Sequence, residues 1–290
     1  MDEIVHPHLR AEVLRDSQAE VPPEREMTEV SAVEVATTSN TKPSNGETLI
    51  TLVLDETGSM SDCYDSTISS VNDYLGSQKV ADGVANVNLY KFSDVSGYGY
   101  SRHNAGFGGI ARTAQAAVGV HVEPEKIRAV FENTAVANIP ALTRETYKPL
   151  GGTNLYDAIG STIRRVESQL DGMDAVPAVL IVIVTDGGEN CSREFSLATV
   201  KKMVGEKEAQ GWTFVYLGAN QDAWEVGQSF GLAKGQTMSY STANMESTMS
   251  TLAGATSVYR SMRSSGARAF NAVDKDFFAA SVDSDDTTSK

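Results

Sequence analysis

Leu49-Ile50-Thr51-Leu52-Val53-Leu54-Asp55-Glu56-Thr57-Gly58-Ser59 passes from a nearly unbroken apolar run directly into an acidic, hydroxyl-bearing loop. A short continuous apolar run of this kind reads as a buried parallel strand. The loop that follows sets Asp55, Thr57 and Ser59 at alternate positions, one carboxylate and two hydroxyls. These are hard oxygen donors of the type Mg²⁺ takes while keeping waters of its own. The same residue types also build turns and helix N-caps, so this stretch alone leaves both readings open.

Two further segments bear on the choice. One is Gly151-Gly152-Thr153-Asn154-Leu155-Tyr156-Asp157-Ala158; the other is the apolar run Val179–Val184 followed by Thr185-Asp186-Gly187-Gly188. In open parallel sheets, loops at the carboxyl ends of strands converge on one crevice, so Asp55 and Asp186 are expected to face each other there. In order and spacing, Asp55-x-Thr57-x-Ser59, Thr153 and Asp186 resemble the metal-ion-dependent adhesion site (MIDAS) of von Willebrand factor A domains. Thr57 stands where that family carries a serine and keeps the hydroxyl. The resemblance covers about Glu47 to Gly231, and Gly218-Ala219-Asn220-Gln221-Asp222-Ala223 is similar to a segment of bacterial and phage members.

The resemblance implies an α/β, Rossmann-like fold: a mostly parallel central sheet, helices on both faces and one antiparallel edge strand. It implies Mg²⁺, with Mn²⁺ or Ca²⁺ as alternatives, at Asp55, Thr57, Ser59, Thr153 and Asp186. The three hydroxyls would bind the ion directly and the two carboxylates partly through water. It further implies a non-enzymatic module that binds an Asp or Glu of a partner protein. Candidate partners are an AAA+ ATPase, other copies of the chain or phage structural proteins. The alternative is a structural subunit of a phage particle or other assembly, in which the metal only stabilises loops. Each residue also has a plainer role: Ser59 as an N-cap, Thr153 as the end of a Gly-Gly turn, Asp186 as an Asp-Gly turn residue. Asp157 is expected to brace its helix rather than bind metal. Glu56 and Glu189 flank the site, either tuning the approach of ligands or simply solvated.

Bulk properties narrow the classes. Among 290 residues, 41% are hydrophobic and 21% charged, ordinary values for a globular protein. The net charge of −14 argues against a nucleic-acid binder, which is usually basic. No apolar run is long enough for a transmembrane helix, so no membrane partner is expected. Met1-Asp2-Glu3-Ile4-Val5-His6 lacks the basic and apolar regions of a secretory leader, giving a cytoplasmic chain, or one in a virion, as the expectation. The two cysteines, Cys63 and Cys191, are too few for a disulfide framework and are expected free, although both follow proposed metal loops. His6, His8, His103 and His121 form no catalytic motif, and no Gly-x-Ser-x-Gly elbow is present.

Residues 1–46 carry nine acidic and four basic side chains and four prolines, which reads as an acidic flexible arm. The folded domain is expected over 47–265. Within it, Thr48–Leu54 and Val84–Ser93 read as strands, the latter with Val87 and Leu89 alternating with outward neighbours. Met60, Tyr64, Ile68, Val71 and Leu75 predict a helix ending near Gly76. The Gly-rich stretch around 95–117 reads as an insertion, and Ile127–Ile139 as the antiparallel edge strand ended by Pro140. Leu155–Leu170 predicts a helix, Val179–Thr185 the central strand, Leu197–Met203 a helix and Thr213–Leu217 a strand. A last amphipathic helix is expected at about 244–263, then a polar tail over 266–290.

Overall fold

Residues 44–96, 126–219, 223–241, 243–265 and residue 278 are described by the structure, a computed structural model. Most of the 1–46 arm, most of the 95–117 insertion and the 266–290 tail apart from Phe278 lie outside the described residues, as do all four histidines.

The apolar runs become the strands of one sheet: β1 (Ser44–Asp55), β2 (Ala85–Phe92), β3 (Arg128–Ala135), β4 (Val176–Thr185), β5 (Thr213–Ala219) and β6 (Thr237–Tyr240). They lie in the order β3-β2-β1-β4-β5-β6. All neighbours are parallel except β2 and β3, so the antiparallel edge strand stands where it was expected. This is the doubly wound, Rossmann-like order, whose direction of winding reverses between β1 and β4.

The helices are α1 (Tyr64–Val80), α2 (Leu155–Leu170), α3 (Leu197–Ala209), α4 (Ala223–Ser229) and α5 (Met245–Ser264). Side-chain alternation along β1 builds two cores. Ile50, Leu52 and Leu54 pack with α1 and α5 residues such as Val71, Tyr74, Leu252 and Tyr259. Leu49 and Val53 pack with Ile159 and Ile163 of α2 and Val200 and Val204 of α3. Helices therefore cover both faces, which a parallel sheet requires because its strands are apolar on both sides. No helix among the described residues is long and apolar enough to cross a membrane.

Several elements depart from the sequence reading. β1 begins at Ser44 rather than Thr48. Helix α1 runs past Gly76 to Val80, because Gln78 Nε2 donates to Ala253 O of α5 at 3.0 Å. The buried Arg260 guanidinium donates to Gln78 O (2.5 Å), a last-turn carbonyl of α1 that lacks a helical donor, and to Gly83 O (2.6 Å) in the loop beyond the helix. In β2, Asn88 and Tyr90 do not face outward. Both are buried under α2, with Asn88 Nδ2 donating to Thr51 Oγ1 (3.1 Å) and Gln169 Oε1 (2.9 Å). Helix α4 and strand β6 were not foreseen. Seven and four residues are too short to show a hydrophobic period. Gly227 lets them meet, since a Cβ there would lie 2.2 Å from Thr237 Cγ2. Phe278, placed by sequence in a solvated tail, is helical and 1% exposed within the α1/α5 core.

Candidate metal centre

The crevice at the β1/β4 switch point is framed by two tyrosines. Tyr147 Oη donates to the carbonyl of Asp55 at 2.7 Å, and Tyr240 Oη to that of Thr185 at 3.2 Å. These bonds pin the last residues of both central strands, so the side chains above them project from a fixed base.

All five residues singled out in the sequence meet there. Asp55 Oδ1 accepts from the Thr57 amide at 2.7 Å, which turns the loop back over the strand end. Thr57 Oγ1 and Ser59 Oγ lie 3.1 Å apart, and Ser59 Oγ donates to Asp186 Oδ1 at 2.6 Å. Thr153 joins them through Gly187: a Cβ on that glycine would sit 3.2 Å from Thr153 Oγ1 and 3.6 Å from Ser59 Oγ. Gly187 therefore leaves room for a third hydroxyl beside the other two.

Ser59 is not the N-cap of the following helix: it lies inside the 3-10 turn Gly58–Cys63, and Cys63 stands at the N-cap of α1. Thr57 occupies the N-cap of the 3-10 turn Gly58–Cys63 without a side-chain cap bond. Two oxygens at adjacent corners of a Mg²⁺ octahedron stand about 3.0 Å apart, given bonds of about 2.1 Å. The Thr57–Ser59 separation matches that edge. Among the described residues no group of three or more His, Cys, Asp or Glu is arranged for a metal. Two carboxylates with three hydroxyls form a hard-oxygen donor set suited to Mg²⁺, Mn²⁺ or Ca²⁺ rather than a softer thiolate or imidazole site.

Electrostatics agree with that fit. Burial pushes the Asp55 carboxyl up to about 6 from the ordinary 3.8, against hydrogen bonds from Thr185 and Thr57 that lower it; the Asp186 charge adds to the rise. Asp186 is also raised, first by burial and despite the Ser59 bond. No lysine, arginine or histidine among the described residues forms an ion pair with either carboxylate.

The loops that present these groups are stitched together. Leu150 N donates to Glu56 O (2.9 Å) and Gly58 N to Gly151 O (3.1 Å). Gly151 has φ +101°, and a Cβ there would lie 2.5 Å from Asp94 O, so only glycine fits this close approach. Thr153 N donates to Asn190 Oδ1 at 2.9 Å, while Thr153 O accepts from Asn190 N. Asp157, as expected, is a brace: its carboxylate accepts from the amides of Arg193, Glu194 and Phe195 at 2.8–3.0 Å.

Glu56 and Glu189 fit neither reading made for them. Glu56 is 3% exposed and accepts from Lys91 Nζ (2.7 Å), Arg128 Nη2 (2.6 Å) and Lys148 N (2.6 Å). Glu189 accepts from the amides of Tyr156, Cys191 and Ser192. Both carboxylates are spent on holding loops. Sequence reasoning also missed Thr185. Its hydroxyl donates to Asp55 Oδ2 at 2.6 Å and accepts from Gly187 N at 3.2 Å, orienting the carboxylate from beneath. Its only sequence signal was a hydroxyl residue just before the Asp186 turn. Cys63 and Cys191 are free thiols.

No protein-family model and no curated protein matches the chain. Solved structures similar to it include proximal thread matrix protein 1 from the mussel byssus, whose MIDAS motif is occupied by zinc. That protein is 12% identical over 72% of this chain and 48% of its own length, at TM-score 0.45. The pilus adhesin SpaC of Lactobacillus rhamnosus GG is 16% identical over 74% of this chain and 30% of its own, at TM-score 0.44. A von Willebrand factor type A protein of Catenulispora acidiphila is 13% identical over 76% and 43%, at TM-score 0.38. The chain thus spans about half the length of the mussel protein. At such identities the likeness extends to the fold alone.

Proposed function

We propose that this chain is a von Willebrand factor A-type module that binds an acidic side chain of a partner protein through a divalent cation. Mg²⁺ is the first choice, with Mn²⁺ or Ca²⁺ as alternatives. The observation that carries the reading is the convergence of Thr57, Ser59 and Thr153 hydroxyls on Asp55 and Asp186, two carboxylates without a cationic partner among the described residues. A bound divalent cation supplies a Lewis-acidic position that a carboxylate from another molecule can fill.

The chain's own groups divide the work. The neutral hydroxyls of Thr57, Ser59 and Thr153 would hold a bound ion while leaving its positive charge largely unspent. Asp55 and Asp186 would balance such an ion from the strand ends, and the Thr185 hydroxyl orients Asp55. Exposed Gly58 and Gly188 leave the mouth open to a partner. The neighbouring thiol favours binding over catalysis. Burial pushes Cys191 up to about 11, with the charges of Asp94 and Glu189 adding, so it is protonated near neutrality and a poor nucleophile. Partners in this reading are proteins offering Asp or Glu: other copies of the chain, members of a larger assembly, or an AAA+ ATPase.

Capture of partners from native lysate tests the reading, run with Mg²⁺, with EDTA, and with Asp186→Ala. A partner retained in Mg²⁺ and lost in the other two conditions supports it. Retention indifferent to all three points to a structural subunit whose metal only stabilises loops.

A further inference from the structure

Resting on that reading, we propose that Leu150 selects the partner: the acidic side chain reaching the metal centre comes with an aliphatic side chain beside it, which packs on Leu150.

Among the described residues the exposed large apolar side chains fall into two places. Val80, Val84, Met173, Val258 and Met262 lie toward the end of the sheet where the parallel strands begin. Leu150, 47% exposed, stands at the opposite end, on the face that carries the metal centre. A single exposed leucine is common on protein surfaces. This one differs in how rigidly it is held and in what lies next to it.

Its amide donates to Glu56 O at 2.9 Å, and the amide of Lys148, two residues earlier, donates to Glu56 Oε1 at 2.6 Å. The following residue, Gly151, is locked at φ +101° against Asp94. The backbone is thus held by Glu56 on one side and against Asp94 on the other, so Leu150 is presented with little backbone ordering entropy left to lose on binding. Gly58, the residue before Ser59, donates its amide to Gly151 O at 3.1 Å and ties this loop to the one that carries two of the cradle hydroxyls. Three residues beyond Leu150 in the same loop, Thr153 carries one of the cradle hydroxyls. A ligand whose carboxylate enters the cradle lays its neighbouring residue across Gly58 onto Leu150. Charge recognises the acid; Leu150 distinguishes an acid flanked by an aliphatic group from one flanked by a polar group.

Phage-displayed random peptides, bound to immobilised chain in Mg²⁺ and released with EDTA, provide the test, with wild type and Leu150→Ser panned in parallel. Wild type is expected to enrich Asp or Glu next to Leu, Ile, Val or Met. Leu150→Ser should still enrich the acid but lose the aliphatic preference. A synthetic peptide from the wild-type selection should bind the variant roughly five-fold more weakly, about 1 kcal/mol, as expected for covering the exposed half of a leucine. A peptide with serine beside its acid should bind both alike. Acidic peptides with random neighbours on wild type, or an unchanged aliphatic preference in Leu150→Ser, overturn this inference and leave the cation-binding reading standing. The absence of acidic peptides released by EDTA overturns both.

Discussion

Asp55 and Glu56 are consecutive, both buried, and treated in opposite ways by the structure around them. On the β2/β3 side, Glu56 meets Lys91, Arg128 and the Lys148 amide, and its charge is matched within the chain. On the β1/β4 side, Asp55 receives an amide and a hydroxyl but no cationic side chain among the described residues. A buried carboxylate with matched cations anchors structure, whereas one surrounded by hydroxyls and facing a second carboxylate is completed by a cation from outside. The two neighbours thus separate what holds the loops from what they hold.

Removing the anchor should cost most. Glu56→Ala leaves Lys91 and Arg128 without their shared partner and frees the 148–151 loop. A loss of roughly 2–3 kcal/mol is expected, below the usual buried-pair figure because Arg128 is partly exposed. Urea unfolding in EDTA measures it. A loss under about 0.5 kcal/mol would erase the distinction between the two carboxylates.

Asp55→Asn should move stability the other way. The folded-state value of about 6 lies above the ordinary 3.8, so the folded protein binds the proton more tightly than the unfolded chain. The stability linked to this proton is complete below the unfolded value and is lost as pH rises through the folded one. At pH 7 without metal, the ionised Asp55 therefore costs on the order of 2–3 kcal/mol at most, which asparagine relieves. The metal-free variant should be more stable than wild type at pH 7, with the gap closing as pH falls toward 4. A variant less stable than wild type at pH 7 would mean that the cradle, too, is matched internally.

Thr185→Val sharpens the contrast with the least disturbance. It removes the hydroxyl that orients Asp55 and keeps the volume of a buried strand residue. Mg²⁺ affinity, read by titration calorimetry, should fall by about ten-fold, the lower end for outer-shell partners of metal ligands. Unchanged affinity would show that the two Thr57-side bonds orient Asp55 unaided.

The sheet and the five cradle residues were legible because each signal was local: an apolar run and the residue that ends it. Helix α2 was read to its boundaries, and β1 and β4 to within one residue at the ends that carry the site, though both begin three or four residues earlier than read. What was lost depends on distant partners. Glu56 looks like any loop glutamate until Arg128, seventy-two positions away, reaches it. Thr185 looks like a strand residue until β1 lies beside it. Helix α1 overran Gly76 because Ala253 and Arg260, far along the chain, bond the side chain and carbonyl of Gln78 in its last turn. β6 exists by pairing with β5, not by pattern, and Phe278 is apolar in a stretch whose composition is otherwise polar.

The central claim is that Asp55 belongs to a cation site, and thermal unfolding of wild type and Asp55→Asn at pH 7.5, in EDTA and in saturating Mg²⁺, tests it most directly. Wild type should gain roughly 5–10 °C at a cation concentration about a hundred times the dissociation constant, because only the folded state binds. Asp55→Asn should start higher in EDTA and gain nothing from Mg²⁺. A wild type that Mg²⁺ leaves unmoved, or a variant that keeps the full shift, would contradict the account.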